Sequence, residues 1–264
     1  MNLGISDKTA LVTGSTQGIG FAIAAALKSE GATVYVNGRS EGRVNDAIGR
    51  LNTSISTGKA LPAVADLSDV DQIQKLFQSI PSVDILVNNT SIFDPKDFFE
   101  IADADWQQFF DVNVMSGVRM ARHYLRGMLD RNWGRVIFIS SESAINIPEE
   151  MIHYGMSKTA QLAVSRGLAE LTKGTNVTVN SVLPGPTYSE GVAGFVESLA
   201  SQSGKTTDEV SEQFFKEMRP TSLLQRFADV EEVANMVAYV SSERSSATNG
   251  AALRVDGGVV KSAF

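Results

Sequence analysis

Residues 9–20 read TALVTGSTQGIG, an apolar run that ends in a turn containing three glycines. Gly14, Gly18 and Gly20 stand at the start of the helical pattern of residues 19–29. Glycine permits a tight turn and a close approach of the backbone, and the amides at a helix N-terminus favour a phosphate group. The stretch therefore predicts a strand, a phosphate-binding turn and a helix. A tight turn that needs glycine for structural reasons alone is the alternative.

Six more apolar runs follow along the chain, and helical patterns alternate with them. Several runs are almost continuous Val, Ile and Leu, which is typical of parallel strands buried on both faces. The alternation predicts an α/β fold: a doubly wound, Rossmann-like parallel sheet of about seven strands with helices on both faces. The predicted strands span residues 9–14, 33–38, 61–66, 83–89, 134–141, 177–184 and 252–258, and the predicted helices span 19–29, 41–51, 68–78, 105–130, 154–173 and 229–241.

The chain contains no Pro-, Gly- or Ser-rich linker, so residues 1–264 are predicted to form one domain. Residues 186–221 separate the sixth and seventh strands with an irregular helical pattern that includes Phe214 and Phe215. Ligands of parallel sheets bind at the carboxyl ends of the strands, where this segment begins. We therefore expect a substrate lid at 186–221, with a packed helical hairpin as the alternative.

The composition excludes several classes of function. The net charge of −7 disfavours broad binding to nucleic acids or to anionic membranes. The absence of cysteine excludes disulfides, thiolate metal sites and cysteine nucleophiles, and two histidines leave little room for a histidine-based metal site. The longest apolar run, FAIAAAL at 21–27, is far too short to span a membrane, and the N-terminus has no signal-peptide pattern. A cytoplasmic protein is expected.

Candidate nucleotide-binding residues lie at the ends of the first and second strands. VNGRS at 36–40 places Arg39 and Ser40 after the second strand, with no carboxylate before Glu41. An arginine here accommodates a ribose 2′-phosphate, whereas an acidic residue binds the 2′-hydroxyl. NADP(H) is therefore predicted over NAD, with a solvated loop arginine as the alternative. The turn after the first strand contributes Gly14, Ser15, Thr16, Gln17, Gly18, Ile19 and Gly20.

The third and fourth strands end in further candidates. Asp66 and Leu67 follow the third strand, and Asp66 either accepts a hydrogen bond from the adenine amino group or caps the helix near Ser68. Asn88 and Asn89 end the fourth strand. We expect Asn88 to brace the sheet and Asn89 to contact the cofactor. Asparagine in an ordinary turn is the competing interpretation.

These motifs, with others further along, resemble the short-chain dehydrogenase/reductase family over almost the whole chain. Each motif is weak alone, but their order on these elements makes the joint signal specific. One departure is NNTS at 88–91, where the family usually shows NNAG. The matching motifs are TGSTQGIG (13–20), DL (66–67), NN (88–89), DVNV (111–114), ISS (139–141), YGMSK (154–158), PGPT (184–187) and VDGG (255–258).

The resemblance implies a catalytic site made of Asn113, Ser141, Tyr154 and Lys158. Tyr154 would donate or accept the proton, and Lys158 would lower the pKa of Tyr154 while holding the nicotinamide ribose. Ser141 would hydrogen-bond the substrate oxygen. Asn113 would hold a water molecule on a proton path from Lys158 to solvent.

The resemblance has three further implications. Pro184, Gly185 and Thr187 would lie beside the nicotinamide. Ser140 and Ser143 are rivals of the neighbouring serine for the contact with the substrate oxygen. The protein would form a homo-oligomer, a dimer or a tetramer.

Elementary chemistry favours the same use of the tyrosine and the lysine. Reduction of a carbonyl needs a hydride and a proton from a positioned acid. A free tyrosine has a pKa of about 10, and a nearby ammonium group lowers that pKa. Tyr154 and Lys158 stand four residues apart, so on a helix they share one face. The alternative is a chance pattern containing a core tyrosine.

The sequence thus predicts an NADP(H)-dependent oxidoreductase that interconverts a carbonyl and a secondary alcohol of a small molecule. Two alternatives stay open. One is a nucleotide-binding regulator or scaffold that keeps the fold without turnover. The other is a dehydratase or epimerase on the same scaffold. The identity of the substrate is beyond the sequence.

Overall fold

The computed structural model describes residues 2–263, apart from the side chain of Phe195. Met1 and Phe264, the ends of the predicted domain, lie outside the described residues. Seven of the nine described strands form one sheet and the other two pair with each other. The strands are β1 (Thr9–Val12), β2 (Thr33–Gly38), β3 (Lys59–Val64), β4 (Ile85–Asn88), β5 (Gly134–Ile139), β6 (Val177–Pro184), β7 (Thr187–Tyr188), β8 (Ala228–Asp229) and β9 (Ala252–Val255).

The main sheet is parallel throughout, in the order β3-β2-β1-β4-β5-β6-β9. Its central strands β5 and β6 are buried along their whole length, as their continuous apolar runs predict. The predicted Rossmann-like sheet of seven strands is confirmed. The helices are α1 (Gly18–Ser29), α2 (Glu41–Ser54), α3 (Val70–Ser79), α4 (Asp103–Phe109), α5 (Ser116–Asp130), α6 (Ile152–Glu170), α7 (Glu190–Ser203), α8 (Thr207–Glu217) and α9 (Val230–Ser241).

Apolar faces of the helices cover both sides of the sheet. On one side, α1, α2 and α9 contribute buried residues such as Ile23, Leu51 and Val237 to one core cluster. A second cluster holds residues of α3 and α5 such as Ile73 and Met120, together with the end of α6. Burial of these two faces supplies the main favourable free energy of folding. The predicted placement of helices on both faces is confirmed.

The order of strands reverses between β1 and β4, which are neighbours although two strands separate them in sequence. Ala10 of β1 pairs with Val34 of β2 on one side and with Ile85 of β4 on the other. The connections from these strands leave in opposite directions and open a crevice at the carboxyl edge of the sheet, where ligands of such folds bind. The glycine turn after β1 and the asparagines that end β4 meet at this crevice.

The predicted helix at 105–130 is not uniform. Residues Phe110–Met115 form a π-helical turn between α4 and α5, and Asn113 lies inside it. Turns of this kind widen the helix, alter its hydrogen-bond ladder and are frequent at functional sites. Several strands are also shorter than predicted because their last residues leave the ladder at the carboxyl edge, as at Thr13 and Gly14 after β1.

The segment predicted as a lid contains α7 and α8, which pack against each other as a helical hairpin. Its small core contains Val196, Ala200 and Val210, and Phe214 and Phe215 pack their rings against Phe227. The short pair β7–β8 ties the base of the hairpin to the chain that precedes α9. The alternative that the sequence left open is therefore what the structure shows, and a covering role for the hairpin stays a proposal.

Candidate active site

The glycine turn between β1 and α1 needs its glycines for two different reasons. Gly14 and Gly18 have φ values of +59° and +58°, in the left-handed region that favours glycine. A Cβ on Gly20 would lie 2.5 Å from Nδ2 of Asn89 and would also collide with the carbonyl oxygen of Gly14. No side chain fits at this position without displacing the turn. The turn therefore brings its backbone to the crevice as the sequence predicts.

Buried polar groups hold the turn against the sheet. Asn89 donates from Nδ2 to the carbonyl oxygens of Thr13 (3.0 Å) and Gly14 (2.9 Å). Ser15 is fully buried, and its hydroxyl donates to Val12 and accepts from the amide of Asn37. Ser15 and Asn89 thus use these groups within the protein and shape the turn. Thr16, Gln17 and Ile19 keep part of their surface exposed at the crevice.

The bracing role expected of Asn88 belongs to Asn89, which ties β4 to β1. Contact of Asn89 with the cofactor stays a prediction. Asn88 is only 4% exposed, and its side-chain nitrogen and oxygen have no hydrogen-bond partner among the described residues. The nearby Ser91, which replaces the family's usual glycine, has an ordinary negative φ and is exposed. The NNTS variation is therefore accommodated without backbone strain.

An acidic side chain from the lid segment already binds the glycine turn. The backbone amide of Gly18 donates to Oε2 of Glu190, with 2.7 Å between the two atoms. Glu190 is the first residue of α7, and Ser189 caps that helix. The amide at the start of α1 can thus bind an anionic oxygen, which is what a phosphate-binding turn requires. The sequence did not identify Glu190, because 172 residues separate the two partners.

The end of β2 presents Arg39 and Ser40 to solvent, beside the same turn. Within residues 2–263, the guanidinium group of Arg39 pairs with no carboxylate. Arg50 of α2 donates from Nη2 to the carbonyl oxygen of Thr16 at 2.6 Å and holds the turn from outside. This edge therefore offers an unpaired cation and a hydroxyl to an anionic group.

Asp66 lies where β3 leaves the sheet, and Leu67 is buried beside it. The carboxylate of Asp66 accepts from the amide and the hydroxyl of Ser68, at 2.9 and 2.7 Å. It does not cap α3, because Asp69 occupies the N-cap and accepts from the first backbone amides. The alternative that Asp66 caps this helix is therefore wrong, because the capping residue stands three positions later. Contact of Asp66 with adenine stays a prediction.

Tyr154, Lys158 and Ser141 come together at the carboxyl edge of β5. Ser141 lies two residues after the end of β5 and accepts a hydrogen bond from the amide of Ser143 at 3.1 Å. Tyr154 and Lys158 lie one turn apart on α6, with the lysine Nζ 5.5 Å from the centroid of the tyrosine ring. The structure thus brings together three of the four residues of the predicted catalytic site. The fourth, Asn113, contacts α6 at Ser157, the residue before the lysine.

Lys158 is a buried amine with few partners. Its side chain is only 2% exposed, and Nζ donates to the carbonyl oxygen of Ile139 at 3.0 Å. Burial lowers the pKa of Lys158 from 10.5 to about 7, because the charged form loses its hydration. The ammonium and the neutral amine are therefore both accessible near neutral pH.

Tyr154 is half-buried beside this amine. Burial raises the pKa of Tyr154 from 10.0 to about 12, and a hydrogen bond from Ser141 opposes that rise. The charges of Glu142 and Arg219 act on the phenol with opposite signs. In this state the phenol keeps its proton at neutral pH and can donate it. The lowering of the tyrosine pKa by Lys158 that the sequence predicts is not seen in this structure, where burial outweighs the opposing contacts.

Asn113, in the π-helical turn before α5, binds the loop after β4. Its side chain accepts from the amide of Ile92 (2.8 Å) and donates to the carbonyl oxygen of Ile92 and the hydroxyl of Ser157, both at 3.0 Å. Its backbone carbonyl oxygen accepts from Nε2 of Gln161 at 2.5 Å. A glutamine that the sequence did not identify thus binds the backbone of this residue, and the water molecule on Asn113 stays a prediction.

The rival serines already have partners. The hydroxyl of Ser140 donates to the carbonyl oxygen of Lys158 at 2.9 Å, and that of Ser143 donates to the carboxylate of Glu142 at 3.3 Å. Ser141 is the serine whose hydroxyl lies against Tyr154. His153 is buried against Phe109, and burial lowers its pKa, as expected for a packing residue.

The chain after β6 passes close to the sheet at Gly185. A Cβ on Gly185 would lie 2.7 Å from backbone atoms of Asp256, and its amide donates to Val255 of β9. Thr187 is buried, and its hydroxyl donates to the carbonyl oxygen of Gly185 at 2.9 Å. Pro184 ends β6 immediately before this contact. The predicted nicotinamide-side residues therefore lie at the same edge as Ser141.

A buried ion pair that the sequence did not predict links this region to the lid segment. Nε of Arg219, which follows α8, lies 2.9 Å from Oε1 of Glu142, and Nη1 lies 3.4 Å from the carboxylate of Glu150. Glu150, two residues before α6, thus supplies a second carboxylate to this network. Motifs could not reveal the pair, since 77 residues separate its main partners.

Comparison with known proteins agrees with this geometry. The sequence model described as short chain dehydrogenase matches residues 8–204. The uncharacterized oxidoreductase YvaG of Bacillus subtilis is 52% identical over 264 residues, which cover all of both chains. The 3-oxoacyl-(acyl-carrier-protein) reductase FabG of Aquifex aeolicus is 32% identical, over 98% of this chain and 100% of its own. The chain therefore belongs to the short-chain dehydrogenase/reductase family.

A solved structure shares the whole fold. L-sorbose reductase from Gluconobacter frateurii, complexed with NADPH and L-sorbose, superposes with a TM-score of 0.93 and 30% identity. The match covers 99% of this chain and 100% of the other. As an oxidoreductase of this family, the chain is an enzyme of the dehydrogenase/reductase class.

Two classes of site have no support in the part of the chain that the structure describes. No group of three or more His, Asp or Glu residues there is arranged to hold a metal ion. Every helix between residues 2 and 263 is too short or too polar to cross a membrane.

Gly20→Ala should disturb the turn, because its Cβ would meet Asn89 at 2.5 Å. We expect a loss of about 1–3 kcal/mol in the free energy of unfolding, measured by urea denaturation. Gly49→Ala in α2 is the control, since nothing lies within 4 Å of its Cβ. Equal stability of the two variants would contradict the tight packing at the turn.

Lys158→Met should stabilise the protein near pH 7, because it removes an amine that is costly to bury when charged. Between pH 7 and 10.5 the unfolded wild type binds one more proton than the folded form, so wild-type stability rises with pH. The advantage of the variant should shrink by about 1 kcal/mol per pH unit from pH 7 toward pH 9. Urea denaturation of both proteins at pH 7 and at pH 9 measures this difference in the free energy of unfolding.

Lys173→Met serves as the control for this pH dependence, because Lys173 is exposed. If Lys158→Met and Lys173→Met showed the same dependence of stability on pH, the lowered pKa of Lys158 would be wrong.

Proposed function

We propose that the protein is an NADP(H)-dependent oxidoreductase that interconverts a carbonyl and a secondary alcohol of a small molecule. The observation that carries the proposal is the convergence of Ser141, Tyr154 and Lys158 beside the glycine turn. Membership of a family of dehydrogenases and reductases supports the reaction class. The finer assignment of each residue is our proposal.

The residues at the crevice fit a dinucleotide. The turn accepts no Cβ at Gly20, and its Gly18 amide already binds an anionic oxygen. When bound, NADPH supplies the hydride that a carbonyl carbon must receive. The turn from Gly14 to Gly20 would hold the pyrophosphate, and Pro184, Gly185 and Thr187 would line the nicotinamide end.

The protein's own groups manage the proton and the substrate oxygen. Tyr154 donates its proton to the developing alkoxide, for which a raised pKa in the resting state keeps it protonated. Ser141 donates a hydrogen bond to the same oxygen. Lys158 stabilises the phenolate that remains, because its ammonium lies on the same helix face. Asn113 fixes the loop at Ile92 and the position of Ser157 on α6.

The preference for NADP(H) rests on Arg39. Its unpaired guanidinium group at the end of β2 is suited to a 2′-phosphate, which carries negative charge that NAD lacks. Ser40 can add a hydroxyl contact. Two structural relatives support the choice: the L-sorbose reductase is complexed with NADPH, and a gluconate 5-dehydrogenase from Beutenbergia cavernae, at 27% identity, has bound NADP.

The regulator and the dehydratase or epimerase alternatives have less support. A scaffold without turnover has no need of a buried amine beside a protonated phenol, which is costly to maintain. A homo-oligomer, dimer or tetramer, and a cytoplasmic location stay predictions from the sequence.

Tyr154→Phe should lower kcat for carbonyl reduction by about 10²- to 10⁴-fold, because it removes the proton donor. NADPH binding, followed by thermal shift, should persist since the ring remains. Tyr239→Phe on the exposed face of α9 should leave kcat unchanged. Wild-type turnover by Tyr154→Phe would eliminate the proposed mechanism.

Arg39→Gln should lower kcat/KM with NADPH by about 10- to 100-fold and leave kcat/KM with NADH nearly unchanged, because only the 2′-phosphate loses a charged partner. Initial rates with both cofactors measure the ratio. Arg126→Gln, an exposed arginine of α5, is the matched control. An equal effect of Arg39→Gln on both cofactors would rule out recognition of the 2′-phosphate.

A further inference from the structure

Gln161 lies between two residues of the proposed catalytic site. It follows Lys158 by one turn of α6 and is only 2% exposed. Its Nε2 donates to the backbone carbonyl oxygen of Asn113 at 2.5 Å. Its Oε1 accepts from Nζ of Lys158 at 3.5 Å, a long contact. One side chain therefore uses its donor on Asn113 and its acceptor on Lys158.

The carbonyl oxygen that Gln161 binds belongs to the π-helical turn. Residues Phe110–Met115 are wound more widely than an α-helix, and Asn113 lies inside this segment. The wider turn changes the hydrogen-bond ladder and leaves the carbonyl oxygen of Asn113 facing α6. Without Gln161 this buried oxygen would lose its side-chain partner, which is unfavourable in a site with little water.

We propose that Gln161 is a positioning residue of the reductase site. Its amide bridges Asn113 and Lys158 and thereby holds the lysine ammonium against Tyr154. The inference rests on the proposed function, since it assigns a role in that same site. Gln161 links Asn113 to Lys158, two residues that the family resemblance connected through a water molecule. An amide side chain orients the ammonium but, unlike water, does not exchange its protons readily.

The charged groups around the pair are few. Glu142 and Arg219 act on Tyr154 from the segment after β5 and from the end of α8. Asp256, after β9, acts on Glu142. No charged group contributes to the shift of Lys158, whose hydrogen-bond acceptors are Ile139 and Gln161. A change at Gln161 is therefore transmitted through Lys158 and not through a competing ion pair.

Two substitutions separate this role from simple packing. Gln161→Leu nearly preserves volume but removes both hydrogen bonds. Gln161→Ala leaves space beside two polar groups, the Asn113 carbonyl and the Lys158 amine, and such space admits a water molecule. If Gln161 only packs, the alanine variant should lose more activity than the leucine variant, because it creates a cavity. If Gln161 positions Lys158, the leucine variant should lose more activity.

The pH profile of alcohol oxidation with NADP is the main measurement. Loss of the acceptor disfavours the charged lysine, which in turn disfavours the phenolate of Tyr154. Gln161→Leu should raise the pKa that defines the acid limb of the kcat profile by about one unit. At pH values below that pKa, kcat should then be about tenfold lower than in the wild type. Gln161→Ala should shift this pKa by less than half as much. Ser165→Ala, one turn further along α6 and also buried, should leave it unchanged.

A second measurement does not depend on turnover. Because Lys158 has a pKa of about 7 in the folded protein and 10.5 when unfolded, the free energy of unfolding rises with pH from about pH 7 upward. Gln161→Leu removes an acceptor of the ammonium and should lower the folded pKa, so that this rise begins about one pH unit lower in urea denaturation between pH 5.5 and 9. An unchanged pH dependence of stability and an unchanged kcat profile in Gln161→Leu would overturn the inference, as would losses that follow the order expected from packing.

This design distinguishes the inference from the proposed function. If wild-type protein reduces no carbonyl with NADPH, the proposed function fails, and the pH dependence of stability still tests the link between Gln161 and Lys158. If wild-type turnover is found and neither variant changes either profile, the inference alone fails.

Discussion

The buried amine of Lys158 is the interaction on which the arrangement of the site depends. A charged amine in the interior is unfavourable unless acceptors surround it, and burial has lowered its pKa to about 7. The acceptors come from the end of β5, through Ile139, and from α6 itself, through Gln161. The sheet edge, the helix and the π-helical turn must therefore meet at one point. Their packing fixes Tyr154 at the same place.

The sequence was sufficient for the parts of the fold that local pattern determines. Continuous apolar runs identified the seven parallel strands, and the four-residue spacing of Tyr154 and Lys158 placed both side chains on one helix face. It was insufficient where a side chain's partner lies far along the chain, as for Gln161 on Asn113 or Arg219 on Glu142. The bracing role of Asn89 was missed for the same reason, because its acceptors on Thr13 and Gly14 lie 76 and 75 residues away.

The surroundings of Tyr154 divide into an apolar side and a charged side. Ile145 and Ile147 are exposed after β5, whereas Glu142 is buried against Arg219 at 2.9 Å. Such an ion pair is weak evidence for stability, because desolvation opposes its attraction. Its place beside the proposed catalytic residues makes it part of the electrostatic environment of the phenol, where the two charges act on the tyrosine pKa with opposite signs.

The hydrogen bond between Glu190 and the amide of Gly18 connects the first turn of α7 to the start of α1. One N–H group donates to one acceptor at full strength, so a ligand oxygen that takes this amide must release the carboxylate. Two like charges also cannot share the site at low cost. Occupancy of the Gly18 amide by a ligand and its hydrogen bond to Glu190 are therefore linked equilibria, and each must weaken the other by the same factor. The Glu190 carboxylate acts as an internal competitor whose local concentration is set by the fold.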